Sequence, residues 1–165
     1  VRVGWSFGPK VVINKMKSIL THVGAWAPKA EQIATANFLN NSKSYSDFLI
    51  TQRDKISHRL FTLYSGINDL KYDGYPIDVI KPEAAIYLTV QFDIKGKTTS
   101  SGKVLSTSED ITEFILNEAK MAVVPFSAFG AAKDSTWYRL SVGTCKTDNI
   151  PVMMTALKNA LSSLK

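Results

Sequence analysis

Cysteine is nearly absent from this sequence: Cys145 is the single one among 165 residues, so no disulfide can form within the chain. A chain without disulfides is typical of a reducing compartment, and we expect the protein to be cytoplasmic. Histidine is also scarce, and neither His22 nor His58 has a second ligand at metal-binding spacing. The sequence therefore predicts no metal site.

Long apolar runs and dense clusters of basic residues are missing as well. No apolar stretch approaches the roughly 18 residues that a membrane-spanning helix requires, and no signal peptide opens the chain. The net charge is +6, but the lysines are scattered along the sequence. Scattered lysines are typical of a solvated surface. We therefore expect neither a membrane nor a nucleic acid among the partners.

The sequence does contain enough apolar material for a core, since hydrophobic residues make up 45% of it. The composition of residues 1–7 predicts a strand. Apolar residues at helical spacing predict two helices within 9–39. After the segment "NNSKS", which we interpret as a break, the pattern predicts a long helix over 46–72. A helix of that length favours a bridge between domains. The predicted division is therefore 1–45, 46–72 and 73–165.

Beyond residue 85 the pattern changes to short strands and short helices. We predict a strand at 85–94, an amphipathic helix at 108–119, strands at 121–125 and 137–144, and a last helix that is capped by Asp148 or Asn149. This order predicts an α+β fold, in which helices cover one face of a small, mostly antiparallel sheet.

The stretch "WYRLSVGT" places Arg139 in the middle of a predicted strand. Tyr138, Leu140 and Val142 share one face of that strand, and Arg139 lies on the opposite face. An arginine in this position reaches the edge of the sheet, forms a structural ion pair or faces a functional cavity. The last alternative suggests an anionic ligand, because guanidinium binds carboxylate and phosphate in bidentate fashion. Arg2 in "VRVGW" presents a similar choice between a plain edge residue and an anion contact.

Four stretches, in this order along the chain, resemble a known family. "RVGWSFGP" and "KMKSILTHVGAWAPKAEQ" resemble the end of the large domain of fold-type-I pyridoxal-phosphate aminotransferases, the aspartate aminotransferase class. "AVVPFSAFG" and "YRLSVGT" resemble two signature stretches of the C-terminal small domain of that class. The resemblance implies that 1–45 is a remnant of the cofactor-binding large domain and that 73–165 is the small domain.

The resemblance also implies an activity and residue roles. The activity is transfer of an amino group between an amino acid and a 2-oxo acid, with pyridoxal 5'-phosphate as cofactor and a homodimer as the assembly. Arg2 would contact the cofactor phosphate, and Arg139 would bind the α-carboxylate of the substrate. One departure is Phe126, which stands where the family usually has glycine after the proline. A bulky residue there is expected to disturb the usual turn.

In the family, the lysine that forms the Schiff base lies shortly upstream of the arginine that Arg2 resembles. We therefore assign no catalytic residue here, and expect a C-terminal fragment that is inactive by itself and binds no cofactor. Two alternatives stay open. The parent could be another fold-type-I enzyme, such as a lyase or a decarboxylase. The chain could also be a non-catalytic module for dimerisation or binding.

Overall fold

The computed structural model describes residues 2–165, which divide into two compact units, one ending at Gln52 and the other spanning Arg53–Lys165. The first unit contains helix α1 (Lys10–Val23), helix α2 (Lys29–Asn40) and the beginning of helix α3 (Ser42–Tyr72). Neither α1 nor α2 contains a fully buried residue. The first unit therefore has no closed core at these two helices.

The strand predicted at the start of the chain is wrong for residues 2–7, and residue 1 lies outside the described residues. Residues 2–9 have no regular secondary structure. A strand is stable only when its backbone groups pair with a neighbour. Within the described part of the chain, no strand pairs with this segment.

Helix α3 begins earlier than predicted, because the polar segment "NNSKS" does not interrupt it. Only Asn41 separates α2 from α3, and the Asn41 side chain accepts a hydrogen bond from the Ser44 backbone N–H at 3.1 Å. Such a bond satisfies one of the unpaired N–H groups of a helix start. The polar residues after Asn41 therefore form the first turn of α3, and the helix includes residues of both units.

The second unit contains one antiparallel sheet, with four strands among the described residues in the order β1-β2-β4-β3. The strands are β1 (Ile77–Ile80), β2 (Tyr87–Phe92), β3 (Val123–Pro125) and β4 (Trp137–Ser141). Strand β1 was not predicted from the sequence. A 3-10 helix (Phe126–Phe129) follows β3 directly.

One face of this sheet is buried, and helices contribute the rest of the core. Helix α4 (Ser108–Ala119) was predicted with these bounds, and helix α5 (Ile150–Ser162) completes the unit. The buried residues that the sheet contributes to the core are Ile77, Val79, Leu88, Val90, Phe92, Val123, Tyr138 and Leu140. Residues of α3, α4 and α5 join the same core. The predicted α+β architecture, with helices on one face of a small antiparallel sheet, is confirmed.

Candidate functional site

Strand β4 presents two chemically different faces, as its alternation predicts. Tyr138 and Leu140 are buried in the core, and so is Val142 just after the strand. Arg139 lies on the opposite face, where it is half-buried. The core therefore fixes the backbone that carries the guanidinium, while the guanidinium itself lies on the opposite face, beside the 3-10 helix that follows β3.

Two aromatic rings flank the guanidinium of Arg139. Its Cζ lies over the ring of Tyr87, 4.4 Å from the centroid, and over the ring of Phe129, 4.2 Å from the centroid. Tyr87 begins β2, and Phe129 ends the 3-10 helix that follows β3. Because β2 and β3 are the two neighbours of β4, the rings reach Arg139 from the two sides of its strand.

Arg139 has no carboxylate within 4.0 Å among residues 2–165, and its side chain makes no hydrogen bond to them. The ion-pair alternative therefore has no partner in this part of the chain. A cation beside aromatic faces is stabilised by the quadrupoles of the rings, and this leaves the N–H donors available. A planar fork of donors on a strand is suited to a carboxylate or a phosphate.

The strand register places small and apolar side chains directly opposite Arg139. Its partner on β2 is Thr89, and its partner on β3 is Val124. Farther along the same face, the Gln91 amide donates a hydrogen bond to Thr136 Oγ1 at 2.9 Å. The immediate strand neighbours of Arg139 therefore bring no negative charge to this face.

Phe126, the departure from the family pattern, begins the 3-10 helix instead of preventing a turn. Its φ is not positive, so the backbone at this position does not require glycine. The turn ends at Gly130, where φ is 91°. The Phe126 ring contacts the Phe129 ring edge to face, with 6.1 Å between the centroids. With phenylalanine at position 126, this chain therefore forms a 3-10 turn that ends at Gly130.

The end of β4 is attached to α3 by an arginine that sequence reasoning missed. Arg59 Nη1 donates to the carbonyl oxygens of Val142 and Gly143, at 3.4 and 3.3 Å. Burial raises the pKa of the nearby Cys145 thiol, although the Arg59 charge acts in the opposite direction. Arg59 thus holds the backbone three and four residues beyond Arg139, and Cys145 stays a thiol at neutral pH.

Arg2 lies in the first unit, within the irregular segment 2–9, and is exposed. It forms no ion pair with the other residues that the structure describes. Arg139 lies in the second unit. The two predicted anion contacts therefore belong to different units, and only Arg139 is held by a regular element.

Among residues 2–165, no three His, Cys, Asp or Glu side chains are grouped so that they could hold a metal ion. No helix formed by the described residues is both long and apolar enough to cross a bilayer.

Comparison with known proteins gives a consistent result. The model of the family described as aminotransferase class I and II matches residues 1–157. A probable aspartate/prephenate aminotransferase of Rickettsia felis is 32% identical over 144 residues, which cover 87% of this chain and 33% of that protein. An aspartate aminotransferase of Rhizobium meliloti is 30% identical over 148 residues, or 89% of this chain and 34% of that protein.

Solved structures agree on the fold. The crystal structure of an aspartate aminotransferase from Rhizobium meliloti matches with a TM-score of 0.77 and 26% identity, covering 96% of this chain and 37% of that one. An aspartate aminotransferase from Thermus thermophilus with maleate matches with a TM-score of 0.73 and 25% identity, over 93% of this chain and 35% of that one. The chain thus spans about a third of the length of these relatives.

Proposed function

Because the chain belongs to the aminotransferase class I and II family, we propose that it is the C-terminal part of an enzyme that moves an amino group between an amino acid and a 2-oxo acid. One observation carries this proposal. Arg139 is held on a strand between two aromatic rings, with no carboxylate partner among residues 2–165. An enzyme that acts on amino acids needs such a receptor for the α-carboxylate.

In this proposal Arg139 binds and orients the substrate carboxylate. Because one side of the strand is buried, the backbone that carries the guanidinium is fixed in place. Less conformational entropy is therefore lost when a ligand binds. Arg59 supports this arrangement by holding the backbone carbonyls that follow the strand. Neither residue exchanges a proton with the substrate, since arginine stays charged in proteins.

We also propose pyridoxal 5'-phosphate as the cofactor of the longer protein. Arg2 suits its phosphate, since the side chain is exposed and has no ion pair with the other described residues. When bound, this cofactor acts as an electron sink for the amino acid. In the proposed division, 1–45 belongs to the cofactor-binding domain, 46–72 is the bridging helix and 73–165 is the small domain.

Aspartate is the first amino donor to test, because all four of the similar proteins and structures described above are named for it. The Thermus structure was determined with maleate, a dicarboxylate, which fits a site built around an arginine. We further propose a homodimer in the cytoplasm. The large exposed aromatic residues of the first unit support the dimer, and the single cysteine supports the cytoplasm.

The two alternatives from the sequence analysis make different predictions. A lyase or decarboxylase on the same scaffold would also need Arg139 for the carboxylate, and a dimerisation module would not need it at all. A test of the function must therefore detect where the amino nitrogen goes.

The test uses the longer protein that contains these 165 residues, supplied with pyridoxal 5'-phosphate, ¹⁵N-aspartate and an unlabelled 2-oxo acid. Mass spectrometry then follows the label. The proposal expects ¹⁵N in the amino acid formed from the 2-oxo acid. Release of carbon dioxide or ammonia without labelled product would establish the lyase or decarboxylase alternative. No conversion of any of several amino donors would favour the non-catalytic module.

A further inference from the structure

We propose that Tyr87 and Phe129 are positioning residues that hold Arg139 ready for a carboxylate, and that Phe126 supports this arrangement through Phe129. The inference rests on the proposed function, and it assigns roles to three side chains that the resemblance does not provide. We call Tyr87, Phe129 and Phe126 together the aromatic bracket.

The two rings come from the elements on either side of β4. Tyr87 faces Ser141 across the β2–β4 ladder, which makes it a diagonal neighbour of Arg139 on the same face. Phe129 comes from the turn after β3, on the other side of β4. The guanidinium therefore cannot swing toward either neighbouring strand without leaving the face of one ring.

Holding an arginine side chain in one conformation has an entropic cost. A free arginine side chain has about 2 kcal/mol of rotamer entropy, and a ligand that immobilises it must overcome that cost. Cation–π contact with two rings, at 4.4 and 4.2 Å, restricts the side chain before any ligand arrives. The N–H groups of Arg139 form no hydrogen bond with residues 2–165 and so remain available as donors to a carboxylate.

The Phe129 ring packs against the Phe126 ring. Phe129 is 51% exposed and Tyr87 is 38% exposed, so core packing alone does not fix either ring. Tyr87 is held by the β2–β4 ladder, whereas Phe129 lies in a short 3-10 turn. The edge-to-face contact with Phe126 restricts the Phe129 ring. This gives a reason for phenylalanine at the position where the family usually has glycine.

The first test measures the bracket itself on the 165-residue chain. The chain has four arginines, so a ¹⁵N spectrum resolves few Nε–H signals, and Arg139→Lys identifies the one from Arg139. Aromatic rings above a proton shift its resonance upfield. We expect the Arg139 signal to lie upfield of the other three. Tyr87→Leu and Phe129→Leu should each move it downfield, and Tyr87→Phe should preserve it.

Phe126→Gly tests the support given to Phe129. It should broaden the Arg139 signal or shift it partly toward the position found in Phe129→Leu. The matched controls are Tyr72→Leu and Phe61→Leu, exposed aromatics of α3 that should leave the signal unchanged. If the Arg139 signal of the unsubstituted chain lay among the signals of the other three arginines, the aromatic bracket would be wrong. A shift that neither Tyr87→Leu nor Phe129→Leu alters would also contradict it.

The second test measures ligand affinity in the longer protein, with maleate as the probe and calorimetry as the readout. Tyr87→Leu and Phe129→Leu should each weaken maleate binding by about three- to tenfold. Tyr87→Phe should restore the affinity, because the ring and not its hydroxyl performs the positioning. A fall in substrate affinity that greatly exceeds the fall in kcat distinguishes positioning from a general loss of structure.

The outcomes separate this inference from the proposed function. If Arg139→Ala leaves maleate affinity unchanged, the carboxylate role of Arg139 is wrong whatever the aromatic variants do. If Arg139→Ala abolishes binding while Tyr87→Leu and Phe129→Leu bind as tightly as the unsubstituted protein, the bracket is wrong and the proposed function stands. Phe129 lies outside the sheet, so Phe129→Leu remains informative even if Tyr87→Leu fails to fold.

Discussion

Gly66 of α3 lies directly against Met154 of α5: a Cβ built on Gly66 would come within 2.8 Å of both Cγ and Sδ of Met154. A contact that short forces the methionine side chain to move. Glycine inside a helix is less favourable than alanine by about 0.5–1 kcal/mol. Glycine at position 66 therefore lowers the helix propensity of α3. In return, the lack of a side chain there allows Met154 of α5 to pack closely on α3.

This relationship predicts coupling between the two positions. In a Met154→Ala background, Gly66→Ala should raise the free energy of unfolding by about 0.5–1 kcal/mol. With Met154 present, the gain should be smaller by at least about 0.5 kcal/mol, since neighbours in contact are not additive. Urea unfolding of the four proteins of this cycle measures both values. An equal effect of Gly66→Ala in the two backgrounds would contradict the packing described here.

Tyr138 makes the unfolding free energy sensitive to alkaline pH. Burial raises the pKa of its phenol to about 12, from 10.0 in the unfolded chain. The folded state therefore keeps a proton that the unfolded state releases, and stability is complete below about pH 10 and falls as the pH rises toward 12. Tyr138→Phe should remove this part of the decline.

At neutral pH Tyr138→Phe should change the unfolding free energy by less than about 1 kcal/mol. The phenol donates only a long hydrogen bond, 3.5 Å, to the Ser108 carbonyl oxygen. The lysines titrate in the same pH range, but they do so in both proteins. The difference between the two unfolding free energies therefore reports on Tyr138 alone. Parallel curves for the two proteins between pH 10 and 12 would show that the phenol of Tyr138 titrates normally.

Asp110 makes the beginning of α4 sensitive to acid. Hydrogen bonds from Lys103 and then from Thr107 lower the pKa of its carboxyl below the ordinary value of 3.8. Because the folded pKa is depressed, the stabilisation is present above about pH 4 and is lost as the pH falls through the folded pKa. Asp110→Asn should therefore be destabilising at pH 7 and should flatten the acid limb of the stability curve.

Glu113→Gln is the matched control for Asp110. Glu113 also contacts Lys103, at 2.8 Å, but only Asp110 completes the capping box with Thr107. Thr107→Ala should cost about 0.5–2 kcal/mol through loss of the same cap. Thermal melts from pH 2 to pH 7 separate the variants. If Glu113→Gln flattened the acid limb as much as Asp110→Asn, the effect would belong to the surface ion pair and not to the cap.

The first unit should make the isolated chain self-associate. Phe7 is 93% exposed and Trp5 is 69% exposed, and neither α1 nor α2 has a fully buried residue. Soluble monomers rarely expose apolar patches larger than a few hundred Å². Sedimentation at micromolar concentration should show a dimer or a larger species, and joint replacement of Trp5 and Phe7 by serine should weaken it.

Tyr72→Ser, which changes an exposed aromatic of the second unit, serves as the control and should leave the association constant unchanged. A single monomeric species at every concentration of the unsubstituted chain would refute the expectation. Equal weakening by the control would mean that association does not depend on the first unit.

Much of the fold follows from periodicity in the sequence. The apolar spacing between Ser108 and Ala119, together with the acidic first turn, predicts α4, and the structure ends the helix at Lys120 in the αL conformation. The alternation around Arg139 likewise predicts which side chains of β4 are buried. In both cases the pattern lies within one element, and the buried apolar residues of that element pack into the same core.

The errors occurred where structure depends on distant partners. Strand β1 has only four residues, too few for periodicity, and it exists because it pairs with β2 from Ile77↔Phe92 to Ile80↔Thr89. The strand predicted over 1–7 lacks any such partner in the described residues. The bracket was missed for the same reason. Residues 87, 129 and 139 meet only through the strand order β1-β2-β4-β3, which the sequence does not reveal.

The central claim is that Arg139 binds the substrate carboxylate, and its replacement in the longer protein tests that claim. Loss of one partner from a buried charge pair costs about 2–5 kcal/mol, and about 1.36 kcal/mol is tenfold in rate. Arg139→Ala should therefore lower kcat/KM by between about thirtyfold and several thousandfold. Arg139→Lys should recover only part of the loss, since an ammonium lacks the planar two-donor fork.

The decisive measurement combines steady-state kinetics and thermal melts on one preparation of Arg139→Ala. The account predicts a large fall in kcat/KM at a nearly unchanged melting temperature, because Arg139 lies outside the core that Tyr138, Leu140 and Val142 help to form. A lowered melting temperature together with unchanged kcat/KM would contradict it and would make Arg139 a structural residue.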